Sequence, residues 1–330
     1  MRLRTVILFL VLVALMAGAF GWLVLTPAAA LREGALIVNI PPHEGLRGIA
    51  QRLAEASVIR SELAFIALTG VRGSMRRLKA GEYEIPRDGS TYDVVRLLES
   101  GKVRQHPVLH PEGATVSELG RVMENARLAT AQAVAKVAAD SQFLRSMGIE
   151  GPSLEGYLFP DTYQFVRGMS PEEMLGRMVH RMRAKVTPDL IDKARARGLD
   201  LHGLLTLASI IEREAVDRDE MRTISAVFWN RLKIDMPLQA DPTVQYAVAK
   251  ERATLTRSDL QLDHPYNTYR RTGLPPGPIA SPSLAAIQAA LDPAPVNFLF
   301  FVAIDDRRHH FSTTIDEHNA AVARYRLSRR

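Results

Sequence analysis

Hydrophobic and polar positions change their spacing several times along the chain, and the first change marks a membrane segment. Residues 5–25 carry no charge and are mostly apolar. At about 1.5 Å per residue, this stretch can cross a hydrocarbon core of about 30 Å. Two arginines within residues 1–4 precede it and Trp22 lies near its far end, so we predict one transmembrane helix with a cytoplasmic tail of residues 1–4. The alternative is a cleaved signal peptide, since residues 27–30 are small, but the apolar stretch is longer than a usual signal-peptide core.

After this segment, strand and helix patterns alternate over residues 36–106 and predict a small α+β subdomain. The predicted strands are 35–40 and 81–85, and the predicted helices are 46–56, 62–69 and 91–100. Ser61 is a suitable cap for the second helix, and Gly101 is a suitable end for the third. A unit of this size needs a compact core or a partner surface, so we interpret it as either a carbohydrate-binding module or a structural spacer.

Residues 107–330 predict a larger α+β domain in which helical spacing dominates. The predicted helices begin with a capping box at 115–118 and continue with 131–147, 170–185, 201–215, 219–232, a short one after 242, 283–291 and 316–326. The predicted strands are 108–112, 297–303 and 310–314, the last two as a hairpin. Residues 154–163 combine aromatic residues, a glycine and a proline with two acids, which is typical of a loop lining a cleft or of an ordinary aromatic core loop.

The helix at 201–215 is mostly apolar and carries two glutamates near its C-terminal end. Asp200 is a suitable N-cap residue. The apolar stripe is formed by Leu204, Leu207 and Ile211. At 100° per residue, Glu214 continues that stripe, whereas Glu212 lies about 200° away from Glu214. We therefore predict that Glu214 faces the core or a cleft and that Glu212 faces outward.

This placement gives Glu214 a chemical role. A carboxyl group packed against leucine and isoleucine loses hydration, which raises its pKa and keeps it protonated near neutral pH. A general acid needs that protonated state, so Glu214 is the candidate catalytic residue. The alternative interpretation is a structural glutamate that pairs with Arg213 or Arg218.

Composition narrows the chemistry further. The chain of 330 residues has no cysteine, which excludes disulfides, thiolate nucleophiles and cysteine-ligated metals. Its net charge of +6 suggests an anionic neighbour, but the basic residues are scattered, so we do not expect a nucleic-acid partner. The sequence has no glycine-rich phosphate loop, no Gly-x-Ser-x-Gly elbow and no His-Glu-x-x-His signature. We therefore expect neither a metal nor a cofactor.

Carboxylate chemistry on a surface of aromatic and amide side chains remains, and glycan cleavage fits those residue types. A protonated glutamate would donate to the glycosidic oxygen while polar side chains hold the sugar. Six residues are predicted to supply those hydrogen bonds: Asn230, Gln239, Thr243, Tyr246, Asn267 and Tyr269. Each of them, taken singly, is also explained as a surface or capping residue.

Seven motifs together resemble the endolytic murein transglycosylase family, also called YceG-like. They are Glu155–Thr162, Leu207–Ala215, Phe228–Leu232, Leu238–Tyr246, Tyr266–Tyr269, Gly273–Gly277 and Phe311–Asn319. The resemblance covers nearly the whole chain. It implies a single-pass inner-membrane protein with a LysM-like glycan-binding subdomain at 36–106 and a periplasmic catalytic domain at 107–330.

The resemblance also implies a reaction and its residues. The β-1,4 bond between N-acetylmuramic acid (MurNAc) and N-acetylglucosamine (GlcNAc) is cleaved without water, because the MurNAc C6 hydroxyl attacks its own anomeric carbon and leaves a 1,6-anhydro end. The catalytic glutamate of the family corresponds to Glu214, and Glu155 and Asp241 are expected to line the cleft. Peptidoglycan strands are the implied substrate, cleavage of nascent strands is implied to end their elongation, and peptidoglycan synthases are possible partners.

Two alternatives stay open from the residues alone. A hydrolytic muramidase could use Glu214 together with Asp241 or Glu155 as its second carboxylate. A membrane-tethered scaffold could instead bind glycan without cleaving it.

Overall fold

A computed structural model describes residues 2–28, 34–250 and 252–328 of the chain. Residues 29 and 30 of the possible signal-peptide cleavage site lie outside this description. Contacts divide the chain into two units, one of Met1–His106 with Gln164–Gly168 and one of Pro107–Tyr163 with Met169–Arg330. Helices and strands are mixed in both units, which confirms the predicted α+β class.

The first helix, α1 (Arg2–Leu25), is long and apolar enough to cross a membrane. Its apolar span Leu3–Leu25 has 23 residues, or about 35 Å, slightly more than a hydrocarbon core requires. Val24 is only 4% exposed and belongs to the core of the first unit, and Phe20 and Leu23 pack against that core. The last turns of α1 are therefore part of the first unit.

The rest of the first unit packs three helices with an antiparallel pair of strands. Its elements are β1 (Ala35–Ile40), α2 (Leu46–Glu55), α3 (Glu62–Val71), β2 (Gly81–Pro86) and α4 (Thr91–Ser100). Val38 of β1 lies opposite Tyr83 of β2, and Tyr83 is fully buried. Ser61 caps α3 by accepting from Ala64 N, and Gly101 ends α4 with a φ of 67°. All five predicted elements are confirmed to within two residues.

The elements that follow are mostly helical. In chain order they are β3 (Gln105–His110), α5 (Val116–Asn125), α6 (Ala131–Ala138), α7 (Ser141–Ser146), β4 (Asp161–Val166), α8 (Pro171–Lys185), α9 (Pro188–Ala196), α10 (Leu201–Glu214), α11 (Met221–Lys233), α12 (Asp241–Ala247), α13 (Arg257–Leu260), α14 (Leu284–Leu291), β5 (Phe300–Ala303), β6 (His309–Ser312) and α15 (Ile315–Ser328). A 3-10 turn, Arg218–Glu220, precedes α11. β3 pairs with β4, and β5 pairs with β6 as the predicted antiparallel hairpin.

Some predictions for this part of the chain are wrong or incomplete. The helix predicted at 131–147 is divided into α6 and α7, because Asp140 caps α7 by accepting from Phe143 N at 2.7 Å. Residues 161–163, predicted as loop, begin strand β4. Helices α9 and α13 are not predicted, although Pro188 at the start of α9 is a recognisable helix start.

The proline-rich loop 273–282 is held over α10 by hydrogen bonds. His202 Nε2 donates to Pro276 O at 2.8 Å, which leaves Nδ1 to accept from the Tyr157 hydroxyl, also at 2.8 Å. Further along the loop, Ile279 N donates to Ser209 Oγ at 3.0 Å. The loop is therefore fixed at two points along the helix that carries the candidate acid.

Candidate active site

α10 is the buried centre of the second unit. Asp200 caps it as predicted, because its Oδ1 accepts from Gly203 N at 2.7 Å. Every residue from Leu204 to Ile211 is buried, so the apolar contacts surround the helix rather than forming one stripe. A helix packed on all sides has a fixed position, and this fixes the place of its last residue, Glu214.

The Glu214 carboxyl group is half-buried, and its pKa is raised to about 8. Loss of hydration is the largest cause, and the negative charge of Asp241 adds to it, whereas Arg231 and Arg213 oppose it. The position at a helix C-terminus acts in the same direction as burial, because the negative end of the helix dipole disfavours a carboxylate. The predicted rise of the Glu214 pKa by burial is confirmed, and the group is mostly protonated at neutral pH.

Glu214 also keeps its hydrogen-bonding capacity. Within the described part of the chain, its carboxyl group accepts no hydrogen bond and forms no ion pair. Arg218 pairs with Glu112 instead, and Arg213 donates to Gly113 O at 3.2 Å. The alternative of a structural Glu214 paired with Arg213 or Arg218 is therefore not what the structure shows.

Glu212 has a different environment. Its Oε2 accepts from Ser283 N at 3.0 Å, at the beginning of α14. Burial raises the pKa of Glu212, the hydrogen bonds from Ser283 lower it, and the charge of Glu112 raises it again. The prediction that Glu212 faces outward is wrong, since the group is half-buried and joins α10 to α14.

Asp241 and Tyr269 belong to the surroundings of Glu214. The Tyr269 hydroxyl donates to Asp241 Oδ1, while Asp241 itself is exposed as the first residue of α12. Burial is the main cause of a raised Tyr269 pKa, followed by the hydrogen bond and charge of Asp241 and then by the charge of Glu214. Two residues predicted to bind the sugar therefore share an electrostatic cluster with the candidate acid.

Arg231 is a member of this cluster that the sequence analysis does not single out. It is only 6% exposed, and its guanidinium donates to Leu299 O and Leu238 O, both at 2.7 Å. A longer bond of 3.4 Å reaches Oε1 of Gln239, a predicted sugar-binding residue. Gln239 is exposed and has a φ of 50°, a strained backbone conformation of the kind that is often kept at functional sites.

Other predicted sugar-binding residues use their polar groups inside the protein. Thr243 and Asn267 are fully buried. Thr243 Oγ1 donates to a backbone carbonyl at 2.7 Å. Asn267 donates to two carbonyl groups at and just after the end of α13 and accepts from Tyr269 N. Asn230 donates its amide hydrogens to two carbonyl groups ahead of β5. Their placement supports an indirect role, in which Asn267 positions Tyr269.

Glu155 and Tyr246 line a small cavity of about 190 Å³, together with Arg213. Both oxygens of Glu155 accept from Val116 N at 3.2 Å, at the start of α5, where the helix dipole stabilises a negative charge. Tyr246 packs against Tyr266 with 5.0 Å between ring centroids. The structure therefore brings Glu155 and Tyr246 together. Glu155 also stabilises the start of α5 by accepting from Val116 N.

A groove elsewhere in the second unit is a separate feature. It has a volume of about 1000 Å³ and is lined by residues of α9, α11 and α14, with Arg197, Arg218 and Arg222 among them. Glu214 does not line it. A large groove therefore lies apart from the place that the carboxylate chemistry selects. Among the described residues, no three histidine, aspartate or glutamate side chains are grouped as metal ligands.

Comparison with known proteins gives consistent results. Residues 38–324 match the model of the YceG-like family. The chain is 33% identical to the endolytic murein transglycosylase of Bacillus subtilis (strain 168), over 94% of this chain and 91% of that protein. It is 29% identical to the endolytic murein transglycosylase of Streptococcus pneumoniae serotype 2 (strain D39), over 97% of this chain and 65% of that protein. A crystal structure of a YceG-like protein from Listeria monocytogenes matches with a TM-score of 0.62 and 32% identity, covering 87% of this chain and 98% of that one.

Proposed function

The chain belongs to the YceG-like family, and on that basis we propose that it cleaves peptidoglycan strands internally, as a lytic transglycosylase. The observation that carries this proposal is the state of Glu214. Its carboxyl group is protonated at neutral pH, because its pKa is raised to about 8, and it has no hydrogen-bond partner among the described residues. A carboxyl group in this state can donate its proton to the glycosidic oxygen of a bound strand.

The proposed reaction uses one carboxyl group twice. Glu214 protonates the oxygen that joins MurNAc to GlcNAc, and the bond from that oxygen to MurNAc C1 breaks. The Glu214 carboxylate then accepts the proton of the MurNAc C6 hydroxyl group while the C6 oxygen bonds to C1. A 1,6-anhydro ring closes, Glu214 regains its proton and no water is consumed. The charges of Arg231 and Arg213, which favour the ionised form of Glu214, stabilise the carboxylate between the two steps.

The residues around Glu214 are proposed to hold the strand. Asp241 is exposed and its charge acts on the acid, and Tyr269 supports Asp241 through its hydroxyl group. Gln239 is exposed and bonds to Arg231. Tyr246 and Glu155 line a neighbouring cavity. Polar groups of these types can bond to the hydroxyl and acetamido groups of an aminosugar.

A hydrolytic muramidase is the second candidate, and Asp241 is the observation that favours it. Its negative charge raises the pKa of Glu214, so the two carboxyl groups form an acid and carboxylate pair of the kind found in glycosidases. In that reaction Asp241 would activate a water molecule or form a covalent intermediate. The products would then carry reducing ends instead of anhydro ends.

The membrane anchor and the first unit complete the proposal. α1 can anchor the chain, and we propose a cytoplasmic N-terminus in the inner membrane with the second unit in the periplasm. We propose that residues 36–106 form a LysM-like subdomain that contacts glycan strands. Cleavage of nascent strands near peptidoglycan synthases would then end their elongation.

Digestion of purified sacculi tests the proposal. Wild type is expected to release fragments with 1,6-anhydro ends, detected by mass spectrometry. Glu214→Gln is expected to release almost none. Glu212→Gln is the matched control, because it makes the same exchange two residues away on the same helix. Reducing ends from the wild type would support the muramidase instead, and unchanged cleavage by Glu214→Gln would contradict both enzymes.

A further inference from the structure

The outward face of α3 is unusual for a helix of a water-soluble unit. Its exposed positions after the first residue are Leu63, Ala67, Gly70 and Val71, which are spaced at i, i+4, i+7 and i+8 and so share one side of the helix. Leu63 is 79% exposed and Val71 is 84% exposed. This face carries no charged or polar side chain, whereas a solvated helix face normally does.

Met75 extends this apolar face beyond the end of α3. Its methyl group lies 3.1 Å from the place that a Cβ atom on Gly70 would occupy, so the side chain lies over the glycine. Met75 is itself 51% exposed. We call the group of Leu63, Ala67, Gly70, Val71 and Met75 the α3 apolar face.

The last turn of α1 packs beside α3 within the first unit. The guanidinium of Arg60, just before α3, lies 4.6 Å from the ring centroid of Trp22 near the end of α1. Thr91 Oγ1, at the start of α4, donates to Leu23 O at 3.3 Å, and Val24 is buried in the core that also contains Phe65 of α3. The end of the span and α3 are therefore parts of one packed body.

The length of α1 places its contact with α3 at the membrane surface. About 20 residues cross a hydrocarbon core, and the apolar span has 23, so the last turn of α1 reaches the head-group region when the helix spans a bilayer. Trp22 is a residue type that favours that region. Since this turn packs in the first unit, α3 lies at the same depth.

We propose that the α3 apolar face is seated in the head-group region of the bilayer, on the side where α1 emerges. The occupant of this face is lipid, because the body that contains α3 also contains the membrane span. Positive charge beside the face suits anionic head groups: Arg60 and Arg76 lie next to it in the chain, whereas Arg72 and Arg77 are ion-paired with Glu99. The inference rests on α1 being retained as a span and does not depend on the proposed enzymatic activity.

A spin label tests the proposal on the full chain. Because the chain has no cysteine, Val71→Cys and Val122→Cys each give one labelling site; Val122 is the control, an exposed valine on α5. The labelled proteins are reconstituted in vesicles of equal parts phosphatidylcholine and phosphatidylglycerol, and resistance to carbonate extraction shows that α1 is inserted. Relaxation by oxygen, which concentrates in lipid, is then compared with relaxation by a water-soluble nickel chelate.

The ratio of oxygen to nickel accessibility is expected to be several-fold higher at position 71 than at position 122. Equal ratios at the two positions would overturn the proposal, because they would place Val71 in water. Dipolar broadening between labels at position 71 would overturn it as well, since the face would then be covered by a second copy of the chain. Release of the protein by carbonate would also overturn it, because α1 would not be a span.

Discussion

The two glutamates at the end of α10 lie on opposite sides of the same turn, and their surroundings differ. On one side, Glu212 is bonded to Ser283 N and joins α10 to α14. On the other side, Glu214 has no hydrogen-bond partner among the described residues and lies near the charges of Asp241, Arg231 and Arg213. Burial raises the pKa of both carboxyl groups. Desolvation therefore does not distinguish a structural acid from a catalytic one; unused hydrogen-bonding capacity does.

The largest expected difference between Glu214 and Glu212 is in catalysis. Glu214→Gln removes the transferable proton and is expected to lower the rate of anhydro-end formation by about 10³-fold, since general acid catalysis contributes on the order of 10² to 10⁴. Glu212→Gln keeps an oxygen that can accept from Ser283 N, so its rate is expected to stay within about tenfold of wild type. Equal losses in the two variants, measured on sacculi, would remove the distinction.

Substitution of Arg231 tests how this buried arginine affects the stability of the fold and the pKa of Glu214. Arg231→Met removes charged hydrogen bonds to Leu238 O and Leu299 O, and it is expected to lower the free energy of unfolding by about 3 kcal/mol. It also removes a positive charge that lowers the pKa of Glu214, so the pH at which activity falls is expected to move upward. Denaturant unfolding and a pH–rate profile measure the two effects, and an unchanged profile would show that Arg231 acts on the fold alone.

Stability should respond to Glu214 in the opposite direction from activity. An acid whose pKa is raised by folding, here from an ordinary 4.5 to about 8, costs nothing below pH 4.5 and destabilises the protein as pH rises through about 8. Glu214→Gln is therefore expected to raise the free energy of unfolding at pH 7 by about 2 kcal/mol, a value below the full linkage figure because the group is only half-buried. The gain should disappear near pH 4, and a difference in the free energy of unfolding between variant and wild type that is the same at both pH values would contradict the assignment.

The smallest effect is expected at Asp241. Asp241→Asn removes a negative charge that raises the pKa of Glu214, so the loss of activity with rising pH is expected at a lower pH than in wild type. Because the transglycosylase needs no second carboxylate, activity at pH 6 should fall by no more than about tenfold. A loss as large as that of Glu214→Gln, with reducing ends in the wild-type digest, would favour the muramidase.

The sequence predicts α10 and its Asp200 cap, because both depend on residues close together in the chain. It also predicts the raised pKa of Glu214, because the apolar stripe of α10 indicates burial, although the charge of Asp241 adds to the rise. It places Glu212 wrongly, since a single apolar stripe cannot show that other helices cover the remaining sides of α10. Arg231 could have been noticed, because it shares the i, i+3, i+7 spacing of the buried Ile224 and Val227, where a charged residue needs partners.

The buried positions of Thr243 and Asn267 show a second feature that the sequence pattern does not predict. A threonine or asparagine in a loop can face a sugar or bond within the protein, and the sequence pattern is the same in both cases. Thr243 shares a hydrogen bond with Thr268, 25 residues away, a contact that local spacing cannot reveal. The first unit was easier to predict, since its helix caps and turns are local signals.

The proposed reaction depends on the protonation state of Glu214, and a carboxyl titration measures that state directly. Protein labelled with carbon-13 at glutamate carboxyl groups is titrated by NMR, and the Glu214 resonance is the one missing from the spectrum of Glu214→Gln. We predict a midpoint near pH 8, the value to which burial raises the pKa of Glu214. A midpoint near the ordinary 4.5 would contradict it, because the group would then be ionised at neutral pH and would have no proton to give.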